Sequence, residues 1–443
     1  MKRIRVPSRL WYGNEERELD FPDAWEVDNL TSPGFETTGF TGQQIRERIE
    51  NPVAGPTLGE LARGKQQAVI VFDDMTRPTP VKDVAPAVLD ILHQAGMKKE
   101  QIRFLWALGS HGPYDMIAAR KKLGAEIVEQ YAVYNHDAFQ NTVRVGRTPR
   151  GVEVWLNKGF MACDLKIGIG CITAHVHAGF GGGAKLVLPG VAGIESINQF
   201  HNQYYRDPSR TGLGNFDGNI MREECDAAGD LAGLHFKIDC LVNRRGEISG
   251  LFAGSFRATH AAGAQEGEWH YGIETSGGYD IAISNAYGKA NESSIARRLA
   301  IAILKSGGGG TGVIISDAPE GQVPHYVFRS WGTGYGGRHF NAPARGSFQA
   351  AMKGLIVLNP QPTPTCIDWV GHPEEVTVVR TWPEVLELLR KDYPGAARVG
   401  VIQDGTVQYI RKDVSGSQGT PYGDTVHSTE RWVRGSLGMR SSR

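Results

Sequence analysis

The stretch His175-Val-His-Ala-Gly-Phe-Gly-Gly-Gly-Ala-Lys185-Leu-Val-Leu-Pro-Gly190, followed by His201, gathers groups that can hold protons, attack carbonyls and bind metals. A lysine set among Gly, Ala, Leu and Val is one that burial makes nucleophilic, because an apolar setting disfavours its charged form. Glycine amides before a lysine also suggest a phosphate cradle. That loop needs Gly just before the lysine and Ser or Thr just after. Here those places hold Ala184 and Leu186, so Lys185 has another task.

Two further segments carry chemistry. Asp73-Asp74-Met75-Thr76-Arg77-Pro78-Thr79-Pro80 joins two carboxylates to a guanidinium, whose planar fork suits a carboxylate or phosphate. The proline-stiffened loop leads into a helix N-terminus, itself an anion site. Leu108-Gly-Ser-His111-Gly-Pro-Tyr114 places one histidine in a turn. Histidine exchanges protons near neutrality, which suits general acid–base work.

These segments resemble the signature of the lactate racemase family, whose members racemise or epimerise 2-hydroxy acids with a nickel-pincer nucleotide. His175 lies ten residues before Lys185 and His201 sixteen after it, which reproduces both spacings of that signature. The resemblance implies that Lys185 is covalently tethered to pyridinium-3-thioamide-5-thiocarboxylic acid mononucleotide. It also implies that His201 is the protein ligand to Ni(II), whose other donors, two sulfurs and a carbon, form a soft planar set. His111 and His175 become the catalytic bases on opposite faces of the substrate. Asp74, Thr76, Arg77, Gly182 and Gly183 become cofactor contacts, with Arg77 also facing substrate and Asp74 open to binding ribose hydroxyls or orienting a histidine. The implied reaction oxidises the alcohol by hydride transfer to a planar 2-keto acid and returns the hydride to either face.

The chain departs from the lactate-acting pattern in its second half. Aligned on Ser284-Asn-Ala-Tyr, the family's Tyr-Gln pair becomes Ser293 and Ser294, and Arg297 takes the place of a lysine. A shift of a few residues would promote Lys289 instead. Gly112 stands where many lactate-type members have arginine. These changes imply a 2-hydroxy acid larger or more polar than lactate. A metal-dependent hydrolase built on His175, His177 and His201 is the alternative enzyme, and a non-catalytic nickel-pincer-binding protein the alternative binder.

Apolar runs of strand length alternate with amphipathic helical patterns. Ala68–Phe72, Ile102–Leu108 and Leu165–Ile169 read as buried strands, and Val81–Ala95 as a helix. The expected fold class is α/β, with two α/β domains of mainly parallel sheets and the active site in the cleft between them. Each candidate segment follows a strand end, where such sheets bind ligands. We expect an N-terminal domain over 1–265 and a C-terminal domain over 266–412, divided by the Ala-, Gly- and His-rich sequence Ala258–Gly272. A polar tail over 413–443 completes the chain.

With 443 residues the chain exceeds one ordinary core. It has 48 basic and 48 acidic residues, which gives no electrostatic case for nucleic acid or an anionic membrane. No apolar run reaches membrane-spanning length, and the N-terminus has no apolar region of a secretory signal. The 57 glycines cluster at Gly179–Gly183, Gly307–Gly312 and Gly332–Gly337, where turns or close backbone approach are expected. The five cysteines lack paired spacing and read as reduced thiols. The cytoplasm is the expected compartment. A small hydroxy acid and the enzymes that make the cofactor are the expected partners, and oligomeric state is left open.

Overall fold

A computed structural model describes residues 2–327, 351–363, 370 and 375–411, without the side chains of 204–206 and 208. The fold is α/β and rests on two six-stranded sheets. Strand β1 (Trp25–Leu30) joins the second sheet. The first sheet takes β2 (Ala68–Asp73), β3 (Ile102–Ala107), β4 (Ala132–Asn135), β5 (Leu165–Cys171), β6 (Phe236–Val242) and β7 (Ile248–Gly254). Their spatial order is β7-β6-β5-β2-β3-β4, parallel except for the β6/β7 edge pair.

Strand periodicity explains why this sheet is buried on both faces. Ile70, Phe72, Phe104 and Trp106 pack on one side with helix α1 (Val81–Gln94), and Val69, Val71 and Leu105 pack on the other. The second face also receives α3 (Ile194–Arg206) and α4 (Ile220–Ala232), while α2 (Met116–Leu123) packs against α1.

The second sheet runs β11-β10-β9-β8-β12-β1, with β8 (Ile281–Asn285), β9 (Thr311–Ile315), β10 (Gly354–Leu358), β11 (Val376–Val379) and β12 (Ala397–Ile402), all parallel. Helix α6 (Ser294–Ile303) covers one face. A hairpin of Lys2–Ser8 with Glu15–Phe21 covers the other through Val6, Leu19 and Phe21.

Two expectations about organisation are corrected here. The N-terminal thirty residues do not belong with the first sheet, because Trp25–Leu30 pairs with Ala397–Ile402 at the edge of the second. The stretch Ala258–Gly272 is no linker, since it lies almost wholly within α5 (Phe256–Tyr271), which packs on β6 and β7. Its small residues serve that packing: a Cβ at Gly263 would come within 2.8 Å of Ile172. The 413–443 tail and Gly332–Gly337 lie outside the described residues. Of the cysteines, Cys163, Cys171, Cys225 and Cys240 are buried and free, and Cys366 lies outside the described residues. No described helix is long and apolar enough to cross a membrane.

Candidate active site

The loops after β2 and β3 meet at Asp74 and His111. One Asp74 oxygen accepts from the Thr76 amide at 2.8 Å and its hydroxyl at 2.5 Å, closing a tight side-chain turn. The other accepts from His111 Nδ1 at 2.5 Å. Burial alone would raise the Asp74 carboxyl, but His111, Arg77 and Thr76 outweigh it and hold it at about 2. A carboxylate can only accept, so in the neutral His111 ring the hydrogen sits on Nδ1 and Nε2 carries the lone pair.

Lys122, fully buried on α2, anchors this loop. Its ammonium donates to the carbonyls of Asp74 and Arg77 at 2.9 and 2.8 Å and lies 2.9 Å from Asp73. Both Asp74 oxygens and the Thr76 hydroxyl are thereby committed within the loop. Of the two roles open to Asp74, this geometry supports orienting His111.

His175 stands in a short hairpin, Ala174–His175 against Gly179–Phe180, just beyond β5. The amides of His177 and Ala178 donate to its Nδ1 at 3.2 Å each, so in the neutral ring Nε2 bears the hydrogen. That Nε2 is 3.4 Å from the Lys185 amine. Burial, reinforced by Arg77, Arg222 and Lys289, lowers Lys185 to about 7. Burial and the Lys185 charge likewise push His175 well below the ordinary histidine value. Lys185 is therefore an amine with a large unprotonated fraction at neutral pH, which is what nucleophilic attack requires.

The glycine run exists for close approach to protein. Gly182 and Gly183 take φ of +77° and +56°, and a Cβ on either would strike Asp239 or Arg222. The Gly183 amide donates to Asp239 at 2.8 Å. Arg222 on α4 donates to the carbonyls of Phe180 and Gly182 at 2.7 and 3.1 Å. Nothing in the local sequence marks Arg222, because the loop it clamps lies forty residues earlier.

His201 projects from α3. Its Nδ1 donates to the Ile197 carbonyl at 2.8 Å, leaving Nε2 as the lone-pair nitrogen, and burial lowers its pKa to about 4. A neutral imidazole fixed by its second nitrogen is the form that ligates metal. His177 lies between the other two, with ring centroids 6.0 Å from His175 and 6.5 Å from His201. Among the described residues no three His, Cys, Asp or Glu side chains form a metal-holding group, so the three-histidine hydrolase centre does not assemble. The donor set fits a nickel-pincer nucleotide: an unprotonated buried amine to tether it and one neutral imidazole nitrogen to complete its metal.

The second sheet closes over this site. Arg77 pairs with Glu292 at 3.1 Å, and the Lys289 amine donates to the Ala174 carbonyl at 3.4 Å. Burial and the Arg77 charge lower Lys289 to about 8. The backbone at His111 bridges that at His325, with ring centroids 5.0 Å apart.

The expected substrate residues Ser293, Ser294 and Arg297 lie at and within the start of α6. Ser293 is buried and donates to Gln322 at 2.9 Å, inside the second domain. Ser294 starts α6. Arg297 donates to the Val370 carbonyl, whereas the charge of its neighbour Arg298 acts on His177. One helical residue turns a side chain by about 100°, so a single-position shift moves the cation from one face to another. Arg298, whose charge reaches His177, and Lys289 therefore join Arg297 as candidate cations for the substrate.

The fold and site define a two-domain α/β protein with a buried lysine and flanking histidines at the junction of its sheets. Residues 12–212 match the lactate racemase N-terminal domain. The lactate racemases of Thermoanaerobacterium thermosaccharolyticum and Lactiplantibacillus plantarum are 30% identical over 271 residues and 31% over 250. These stretches cover 60% and 54% of this chain but 62% and 59% of those relatives, less than two thirds of either. The lactate racemase apoprotein structure from T. thermosaccharolyticum matches with a TM-score of 0.71 at 22% identity, over 93% of this chain and all of that one. A Thermotoga maritima protein matches with 0.64 at 17% identity, over 84% of this chain and 99% of that one. Over this N-terminal stretch the chain is similar to lactate racemases, and its fold is similar to that of the racemase apoprotein.

Proposed function

We propose that this chain is a 2-hydroxyacid racemase or epimerase that works with a nickel-pincer nucleotide on a substrate larger or more polar than lactate. The observation that carries the reading is the facing pair of His175 and Lys185, 3.4 Å apart, at the strand end next to the Asp74-held His111. Lys185 would tether the group and His201 would ligate its nickel. When bound, the group supplies a hydride acceptor and donor for C2.

The chain's own residues handle the protons. His111, with Nδ1 fixed on Asp74, presents the Nε2 lone pair that takes the hydroxyl proton. His175 holds a hydrogen at Nε2 that can bond the same oxygen, and the opposite enantiomer needs the two roles exchanged. Burial is the main reason His175 holds a proton weakly, and converting Lys185 into an uncharged amide would remove one of the cations that add to that effect. Arg77, Lys289 and Arg298 provide positive charge for the substrate carboxylate.

The test is co-production with the cofactor-making enzymes, followed by intact-mass and nickel measurement. The reading expects a covalent adduct on Lys185 and nickel that depends on His201. Nickel lost equally on replacing His111 or His201 would contradict it.

A further inference from the structure

A cavity of about 250 Å³ lies beside the His111 loop, between the first sheet and the loop that follows β9. Gly112, Tyr114 and Met75 line it from one side, Asp317 and Pro324 from the other, and Trp11 from the N-terminal hairpin. Among the described residues three polar atoms of its walls are buried without a hydrogen-bond partner: Trp11 Nε1, Tyr114 OH and Asp317 Oδ1. Asp317 is only 7% exposed. Buried polar atoms of this kind cost about 1–3 kcal/mol each when nothing meets them. One donor, one hydroxyl and one acceptor around a single cavity make a recognition pattern.

The charges of the walls are already matched. Asp317 Oδ2 accepts from Arg17 at 2.9 Å and from Ser8 at 3.3 Å, and Glu320 pairs with Lys121 at 3.0 Å. A further carboxylate would meet Asp317 and Glu320, while a cation would find both acids paired. The occupant that fits is uncharged, compact and rich in hydroxyls. We infer that this cavity is a binding site for a small polyol group, with Trp11 donating, Asp317 accepting and Tyr114 doing either. The absence of a side chain at Gly112 keeps it open, since a Cβ there would lie 3.2 Å from Pro324.

Such a group has two sources: a free polyol, or the far end of a polyhydroxylated substrate, the latter resting on the racemase reading. Titration calorimetry of the full chain with erythritol needs no cofactor and tests the site by itself. Saturable binding is expected, weakened about fivefold or more by Tyr114→Phe, which removes one hydrogen bond, and abolished by Gly112→Leu, which fills the mouth. No saturable heat would show a cavity that holds only water, equal affinity in wild type and both variants would place the binding elsewhere, and either result overturns the inference. With the loaded enzyme, erythritol competing against a polyhydroxy acid but not against lactate assigns the cavity to the substrate's tail. Binding that competes with neither assigns it to a separate polyol.

Discussion

Asp74 accepts the Nδ1 hydrogen of His111 at 2.5 Å, and the carboxylate is itself locked by Thr76 and, through its backbone, by Lys122. This arrangement fixes both the ring's orientation and its tautomer. Asp74→Asn keeps the shape but can present an N–H where only an acceptor works. We expect turnover of the loaded enzyme to fall by about a hundredfold or more with little change in KM, following the loss seen when a carboxylate–histidine pair is broken elsewhere. Steady-state kinetics check this, and a variant within threefold of wild type would contradict the positioning role.

Lys185 predicts a pH-dependent stability. Its folded value of about 7 lies below the ordinary lysine value, so the unfolded chain binds the proton more readily. The amine's full cost is present below about pH 7, and it fades as pH rises from there to the ordinary lysine value of 10.5. Lys185→Met should raise the stability of cofactor-free protein at pH 6–7 by roughly 2–4 kcal/mol, with a smaller gain at pH 10. Denaturant unfolding at both pH values reads this, and an equal gain at both contradicts it.

The Arg77–Glu292 pair links the two sheets. Both side chains are largely buried, so removing one leaves the other uncompensated. Glu292→Ala should destabilise the chain by about 3 kcal/mol, and the Arg77→Ala/Glu292→Ala double variant by less than the sum of the single changes. Additive losses in a double-mutant cycle would show that the pair is not coupled.

Arg298 and Arg297 should separate cleanly. Arg298→Ala is expected to raise KM for the hydroxy acid by roughly tenfold to a hundredfold, as loss of a charge-assisted contact does. Arg297→Ala should lower melting temperature with KM nearly unchanged, because its guanidinium serves the Val370 carbonyl. The reverse pattern would restore the alignment that favoured Arg297.

What could be read beforehand follows from locality. The buried strands announce themselves as apolar runs, and His175, Lys185 and His201 share one continuous segment. Trp25–Leu30 escaped notice because its acidic and polar residues mask a strand whose partner, Ala397–Ile402, is over 360 residues away. Helix α5 was hidden by small residues that look like a linker but let the helix approach Ile172 and Phe252. Lys122, Arg222 and Lys289 matter through carbonyls brought near only by folding, so no spacing rule finds them.

The two histidines should be jointly required. His111→Ala and His175→Ala should each remove interconversion in both directions, since every turnover uses one group on each face. Chiral chromatography of both enantiomers checks this, and near-native interconversion in either variant excludes that histidine.

The central claim is tested most directly by giving the cofactor-loaded protein single enantiomers of 2-hydroxy acids of increasing size and hydroxylation, and following C2 configuration by chiral chromatography. The account predicts interconversion from either hand, faster for polyhydroxylated acids than for lactate. Protein that carries the Lys185 adduct and nickel yet leaves every enantiomer unchanged would contradict it.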